Sequence, residues 1–132
     1  MPDTPGDGSL RWNAVCLDCA DAEEMAAFYG RLLGWEVSAG GGRWIAMEDP
    51  EGGVGLIFQA RGWYRPPTWP ERPYSQHKMM HFEIQVDDVE AAVADAVAAG
   101  ARVADRQPEN RDGDKLRVML DPAGHPFCLW SE

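Results

Sequence analysis

His81, Glu83 and Gln85 occupy alternate positions in the run Lys78-Met-Met-His-Phe-Glu-Ile-Gln-Val-Asp-Asp88, with Phe82, Ile84 and Val86 between them. A period of two is the mark of a strand, so three polar groups share one face and three apolar groups the other. A His and a Glu two apart on a strand stand close enough to share a ligand. In an apolar cavity such a pair can act as general acid and base, because burial and mutual contact tune both pKa values. His81 is also a possible metal ligand. The bland alternative is a His81 that only hydrogen-bonds in the cavity and a Glu83 that faces solvent. Cys128 can serve as a nucleophile if His81 stabilises its thiolate, or it is a small buried apolar side chain. His125 is expected to cap or fill the rim of the site. His77, four residues before His81, does not make a two-His metal site with it, because Met79-Met80 and the strand pattern intervene.

The same strand pattern occurs earlier without a His. Val15, Leu17 and Cys19 alternate with Ala14, Cys16 and Asp18. Cys16 and Cys19 form a Cys-x-x-Cys, but in a strand the two face opposite sides and no second Cys pair exists, which argues against a redox or zinc motif. Asp21 stands at a helix N-cap position with Glu24 three residues on, the capping-box arrangement. Met25, Phe28, Tyr29 and Leu32 then recur at helical spacing, and Gly34 stops a helix over 22–33. Trp35 to Val37 and Arg43 to Met47 read as a strand pair around the turn Gly40-Gly41-Gly42. Asp49-Pro50-Glu51-Gly52 is a turn, and Val54 to Gln59 is a further strand. In the second half Met79 to Val86 is a strand, and Asp88 caps a helix over 89–99 whose buried stripe is Val89, Val93 and Val97. Strands follow at 102–104, 116–120 and 126–130, the last two joined by Asp121-Pro122-Ala123-Gly124.

The halves repeat. A shift of 67 residues carries Asp21 onto Asp88, Ala14 onto His81, Cys16 onto Glu83 and Asp18 onto Gln85; a shift of 72 carries Asp49-Pro50-x-Gly52 onto Asp121-Pro122-x-Gly124. Repeats of this length fix an architecture. The expected fold is α+β: two tandem βαβββ modules, about 10–60 and 78–132, forming a curved mixed sheet around a cavity in one domain. One module alone is too small to close a core. Residues 61–77 hold four prolines and four aromatics, which forbids a regular element. They are either a connector whose aromatics pack outside the domain or a lid that sets Trp63 or Trp69 over a pocket.

With 132 residues, 45% of them hydrophobic and 26% charged, the chain is one ordinary globular domain. A net charge of −10 argues against nucleic acid and anionic membranes as partners. Residues 1–9 have neither a basic start nor an apolar run, so no signal peptide is expected. Three cysteines, an odd number, suit reduced thiols in a cytoplasmic protein.

The run Asp21…Phe28-Tyr29-Gly-Arg-Leu-Leu33-Gly34-Trp35, with His81…Val86-Asp-Asp88 and Asp121-Pro122-Ala-Gly124-His-Pro, resembles the vicinal oxygen chelate superfamily, in its glyoxalase-like and bleomycin-resistance-like members. The resemblance extends from about Trp12 to Trp130. It implies a fold rather than a reaction, since the superfamily spans lyases, isomerases, dioxygenases and silent drug-binding proteins. It also implies homodimers and, where a metal is used, four ligands at equivalent strand positions. Carried onto this chain those positions are Ala14 and His81 on the opening strands and Leu56 and Cys128 on the closing strands, with Gln59 replacing Leu56 if the register slips. Of the four, His81 alone is of the family's ligand type, and a catalytic metal normally needs three protein ligands. No cofactor is therefore expected, although a divalent metal at His81 is the alternative. The reading favoured is a metal-independent protein that binds a hydrophobic or aromatic natural product or drug. Trp44, Phe58, Trp63, Trp69, Phe127 and Trp130 would supply flat walls, and Asp18, His81, Glu83, Gln85 and Cys128 would orient the guest. Cation–π contact and the acidic surface would favour a cationic one. Arg43, Lys115 and Arg117 sit on strands and are available to an anionic ligand, with plain surface charge as their default role. The alternative function is a lyase or isomerase of glyoxalase type, metal-dependent or using His81 and Glu83 as acid and base.

Overall fold

Gly8 and residues 10–132 are described by the structure, a computed structural model. The N-terminal stretch without a basic start or apolar run lies outside these residues, apart from Gly8. Each half lays down one strand, one helix and three further strands: β1 (Ala14–Cys19), α1 (Ala22–Leu33), β2 (Val37–Gly41), β3 (Trp44–Met47) and β4 (Gly55–Ala60), then β5 (Phe82–Gln85), α2 (Val89–Ala99), β6 (Arg102–Val103), β7 (Leu116–Leu120) and β8 (Pro126–Trp130). The sheets are ordered β1-β4-β3-β2 and β5-β8-β7-β6. In each, the opening strand runs parallel to the closing strand and the other pairs are antiparallel. This is the α+β architecture of two tandem βαβββ modules, with curved, open sheets.

Local chemistry sets the helix ends. The Asp21 carboxylate accepts from the Glu24 N–H at 3.0 Å and the Asp88 carboxylate from the Ala91 N–H at 3.2 Å, each satisfying an orphan donor of the first turn. Gly34 leaves α1 at φ 73°, a conformation that costs glycine least. Met25, Phe28 and Tyr29 are buried, as their spacing predicts. The predicted stripe of α2 holds only in part. Val89 is buried and Val93 half-buried, but Val97 is exposed, and the inner face is completed by Ala96 and Ala99. Steps of four residues drift around a helix, so Val97 sits roughly 80° from Val89.

The core lies between the helices and the inner faces of both sheets, so the modules share it. Tyr29 of α1 stacks on Phe58 of β4 (centroids 5.5 Å apart) and meets Phe82 of β5 edge-on at 6.0 Å. Its hydroxyl donates to the Asp121 carboxylate at 2.7 Å, and that carboxylate also accepts from the Ala123 and His125 N–H groups. The turn Asp of the second module is thus buried and joined to the helix of the first. Residues 61–77 contain no helix or strand. β5 is shorter than predicted: its ladder to β8 starts at Phe82–Phe127, because β8 begins only at Pro126, and this leaves Met79 and Met80 exposed.

Candidate functional site

The outer faces of the sheets carry the residues with chemistry. On the second sheet, Glu83 of β5 is the register partner of Cys128 of β8, so both side chains leave the same face. His81 lies just before β5, and its Nε2 is 2.7 Å from Glu83 Oε2. Ligand atoms of His81, Glu83 and Cys128 lie within 4.8 Å of one another. Burial pushes the Cys128 thiol up to about 11, and the charge and hydrogen bond of Glu83 push the same way. That thiol is therefore protonated at neutral pH and is no ready nucleophile. Gln85 and Trp130 are partners on the next rung.

Among the described residues the first sheet has no matching group of three ligand side chains. Ala14 carries no ligand atom, and Cys16 has Ile57 as its partner across β1 and β4. Ile57, not Leu56, is therefore the outer-face counterpart of Cys128; the sequence count slipped by one residue because the first turn has an extra Gly53 before its strand. Leu56 faces the core, with only 6% of its surface exposed. Gln59 is on the outer face, in register with Asp18 and Trp44. A metal bridging both modules in the family manner does not fit these residues. The donors that do converge are one imidazole, one carboxylate and one protonated thiol from a single module.

The structure divides the predicted aromatic walls. Phe58 and Phe127 are fully buried in the core and line no pocket, because their strand positions point toward the helices. Trp44 borders a cavity of about 560 Å³ on the outer face of the first sheet, together with Trp12, Ala14 and Ile57. Trp69 packs on an apolar platform of Ala104, Leu116, Val118 and Cys128 on the second sheet, beside Trp130, and its indole N–H donates to the Arg106 carbonyl at 3.0 Å. Trp63 lines a cavity of about 670 Å³ between β1 and the connector.

That cavity gathers Cys16, Leu17 and Asp18 of β1, Trp63, Tyr64 and Arg65 of the connector, and Lys78, Met79 and Met80 ahead of β5. Arg61 also lines it, its guanidinium 3.4 Å from Asp18 and 5.7 Å over the Trp63 ring. At its floor His125 Nε2 lies 2.7 Å from the Asp18 carbonyl and 3.3 Å from the Tyr64 hydroxyl, which donates to the Ala123 carbonyl. His125 therefore joins the two modules while lining the cavity. Burial, followed by the charges of Asp121, Cys19 and Asp18, raises the Tyr64 phenol far above its ordinary value, so it stays protonated. Asp18 and Trp63 are thus brought together, whereas His81, Glu83 and Cys128 form a separate cluster, with Gln85 one rung further along β5. Arg43, Lys115 and Arg117 are committed elsewhere, to the Ala60 carbonyl, the Glu132 carbonyl and Glu90. The cations that do face the cavity, Arg61, Arg65 and Lys78, were not among the predicted site residues; their one sequence signal is their place in, or at the end of, an aromatic connector.

Paired βαβββ modules with open, curved sheets are consistent with the fold of the vicinal oxygen chelate superfamily. The family model for the glyoxalase-like domain matches residues 14–130. The chain belongs to that family. Among solved structures it is similar to a glyoxalase/bleomycin resistance protein/dioxygenase family enzyme from Burkholderia phytofirmans PsJN, at 18% identity and a TM-score of 0.67, covering 92% of this chain and 98% of that one. It is also similar to TnmS3, an antibiotic binding protein from Streptomyces sp. CB03234 (18% identity, TM-score 0.59, 96% and 98% covered). A third is the oxidase ChaP-H2 (24% identity, TM-score 0.56, 93% and 94% covered). No curated protein matches the chain in sequence. Among the described residues, no helix is long and apolar enough to cross a membrane.

Proposed function

We propose that this chain binds a flat, largely apolar small molecule, without a metal, in the cavity between β1 and the connector. The observation that carries this reading is the cavity itself. At about 670 Å³ it is of a size to enclose a drug-sized guest. Trp63 offers a ring face, Leu17, Met79 and Met80 offer adaptable apolar contact, and Asp18 and Tyr64 offer polar anchors. The donor chemistry supports the same reading: Ala14 and Ile57, at two of the positions where the family bridges its modules with a metal, cannot ligate. The antibiotic binding of TnmS3 is a precedent on this fold. Titration of tryptophan emission with planar aromatic compounds, before and after treatment with a chelator, tests the reading. Affinity should be unchanged by the chelator and fall about tenfold in Trp63→Ala, as loss of one stacking contact implies. Binding that requires a divalent metal would sink it.

A second reading rests on the His81–Glu83 contact of 2.7 Å. That pair would serve as acid and base of a lyase or isomerase, or would hold a metal together with Cys128. Stoichiometric metal in the purified protein, lost in His81→Ala, would favour it. A homodimer would bury the exposed Trp12 and Trp44; light scattering checks it.

A further inference from the structure

The charge lining the cavity opposes the charge of the chain. Acidic residues outnumber basic ones 22 to 12, for a net charge of −10. Yet three of the four formally charged side chains around the cavity are basic: Arg61, Arg65 and Lys78 stand against Asp18 alone. Two of the three histidines, His77 and His125, line it as well. From these observations we propose that the guest carries an anionic group (a carboxylate, sulfonate or phosphate) beside its flat apolar body. This rests on the reading that the cavity is the binding site.

The three cations are not equally occupied. Arg61 meets Asp18 through a single 3.4 Å contact, with 38% of its side-chain surface open to solvent or a guest, and its guanidinium already lies over Trp63. Lys78 pairs with Glu71, which lies outside the lining, while its ammonium stands 4.9 Å from the Trp69 centroid. Among the described residues Arg65 has no carboxylate within 4.0 Å. An unpaired guanidinium beside an aromatic wall has the fork geometry for a planar oxyanion and is less strongly hydrated than an ammonium. A cationic aromatic guest, the kind the overall acidity would attract, would meet these positive charges on entry. Local sources dominate at contact distance because charges beyond roughly 8–10 Å are screened at ordinary salt. The cavity therefore selects against the sign that the whole surface attracts.

A matched pair of probes tests this: anilinonaphthalene sulfonate and its neutral parent, phenylnaphthylamine, titrated against the full chain and its Trp63→Ala, Arg65→Glu and Lys78→Gln variants. Arg65 and Trp63 are exposed, so the first two variants should fold; thermal melts confirm it. The sulfonate is expected to bind about tenfold tighter than the neutral parent despite the acidic surface. Arg65→Glu should cut sulfonate affinity by about tenfold and Lys78→Gln by roughly two- to fivefold, the scale of exposed charge pairs, with neutral binding unchanged within about twofold. Equal affinities of the two probes, both lost in Trp63→Ala, would overturn the anion inference and leave the cavity reading standing. Binding of neither probe that depends on Trp63 would overturn the cavity reading and this inference with it.

Discussion

Tyr29→Phe removes one oxygen from the junction of the two modules. The lost bond is a 2.7 Å hydrogen bond from a buried phenol to the carboxylate of Asp121, and each of the two residues is only 1% exposed. A hydrogen bond to a charged group contributes about 1.5–3 kcal/mol. With an unfolding entropy of about 2 cal/mol/K per residue, that range lowers the melting temperature by about 5–11 °C. The deficit also has a pH dependence of fixed sign. In the fold Asp121 is held above its ordinary pKa, chiefly by burial, while the charge of His125, the Tyr29 hydroxyl and the two backbone N–H groups pull it down. A raised carboxyl contributes stability that is complete below its unfolded pKa, about 3.9, and is lost as pH rises through its folded value. Removing the Tyr29 hydroxyl raises that folded value further. The variant should therefore fall furthest behind where Asp121 is ionised, and the gap should narrow toward acid. Thermal unfolding of both proteins by circular dichroism, from about pH 4 to about pH 8, measures it. A gap under about 0.5 kcal/mol, or one that widens on acidification, would refute the claim that a hydrogen bond to an ionised Asp121 ties the modules together.

Cys128, at about 11, should carry roughly one thiolate per thousand molecules at about pH 8, against about one in four for an ordinary thiol. Iodoacetamide labelling followed by mass spectrometry should find the exposed Cys16 modified first, and Glu83→Gln should speed labelling of Cys128 at least about threefold by removing two of the influences that raise it. Phe58→Ala should cost about 3–5 kcal/mol in denaturant unfolding and leave guest affinity unchanged while the protein remains folded. The reverse pattern, small loss of stability with large loss of binding, would put Phe58 back in the site.

Nearly all of the fold was legible because its signals are local or repeated. Asp21 and Asp88 cap helices by contacts three residues long, Gly34 turns the chain where its φ requires, and the Asp-Pro-x-Gly turns mark the hairpin of each module. Alternation also set the faces correctly for Cys16, Cys19, His81 and Glu83. Counting along the chain failed where one inserted glycine mattered: Gly53 moved the outer-face position from Leu56 to Ile57. Aromatic character alone could not place Phe58 and Phe127, since a flat ring serves a core as well as a pocket and strand parity decides between them. The cavity was the least legible part. Arg61, Arg65 and Lys78 converge through an irregular connector that has no period to read, and Arg43, Lys115 and Arg117 prove to be satisfied by partners distant in the sequence. The repeat likewise concealed an asymmetry: its shift carries Tyr29 onto Ala96, so the phenol that reaches Asp121 and Phe82 has no counterpart in the second module.

Trp69 on its platform of Leu116, Val118 and Cys128 has a thermodynamic consequence for that face of the second sheet. The indole is a tethered occupant, present at an effective concentration set by the connector, which for short flexible tethers is of millimolar order. Any molecule settling on the same platform must expel it and break its hydrogen bond to Arg106. The apparent affinity there is the intrinsic affinity divided by this intramolecular competition. Shortening, stiffening or cutting the connector would change that ratio without touching a single residue of the platform.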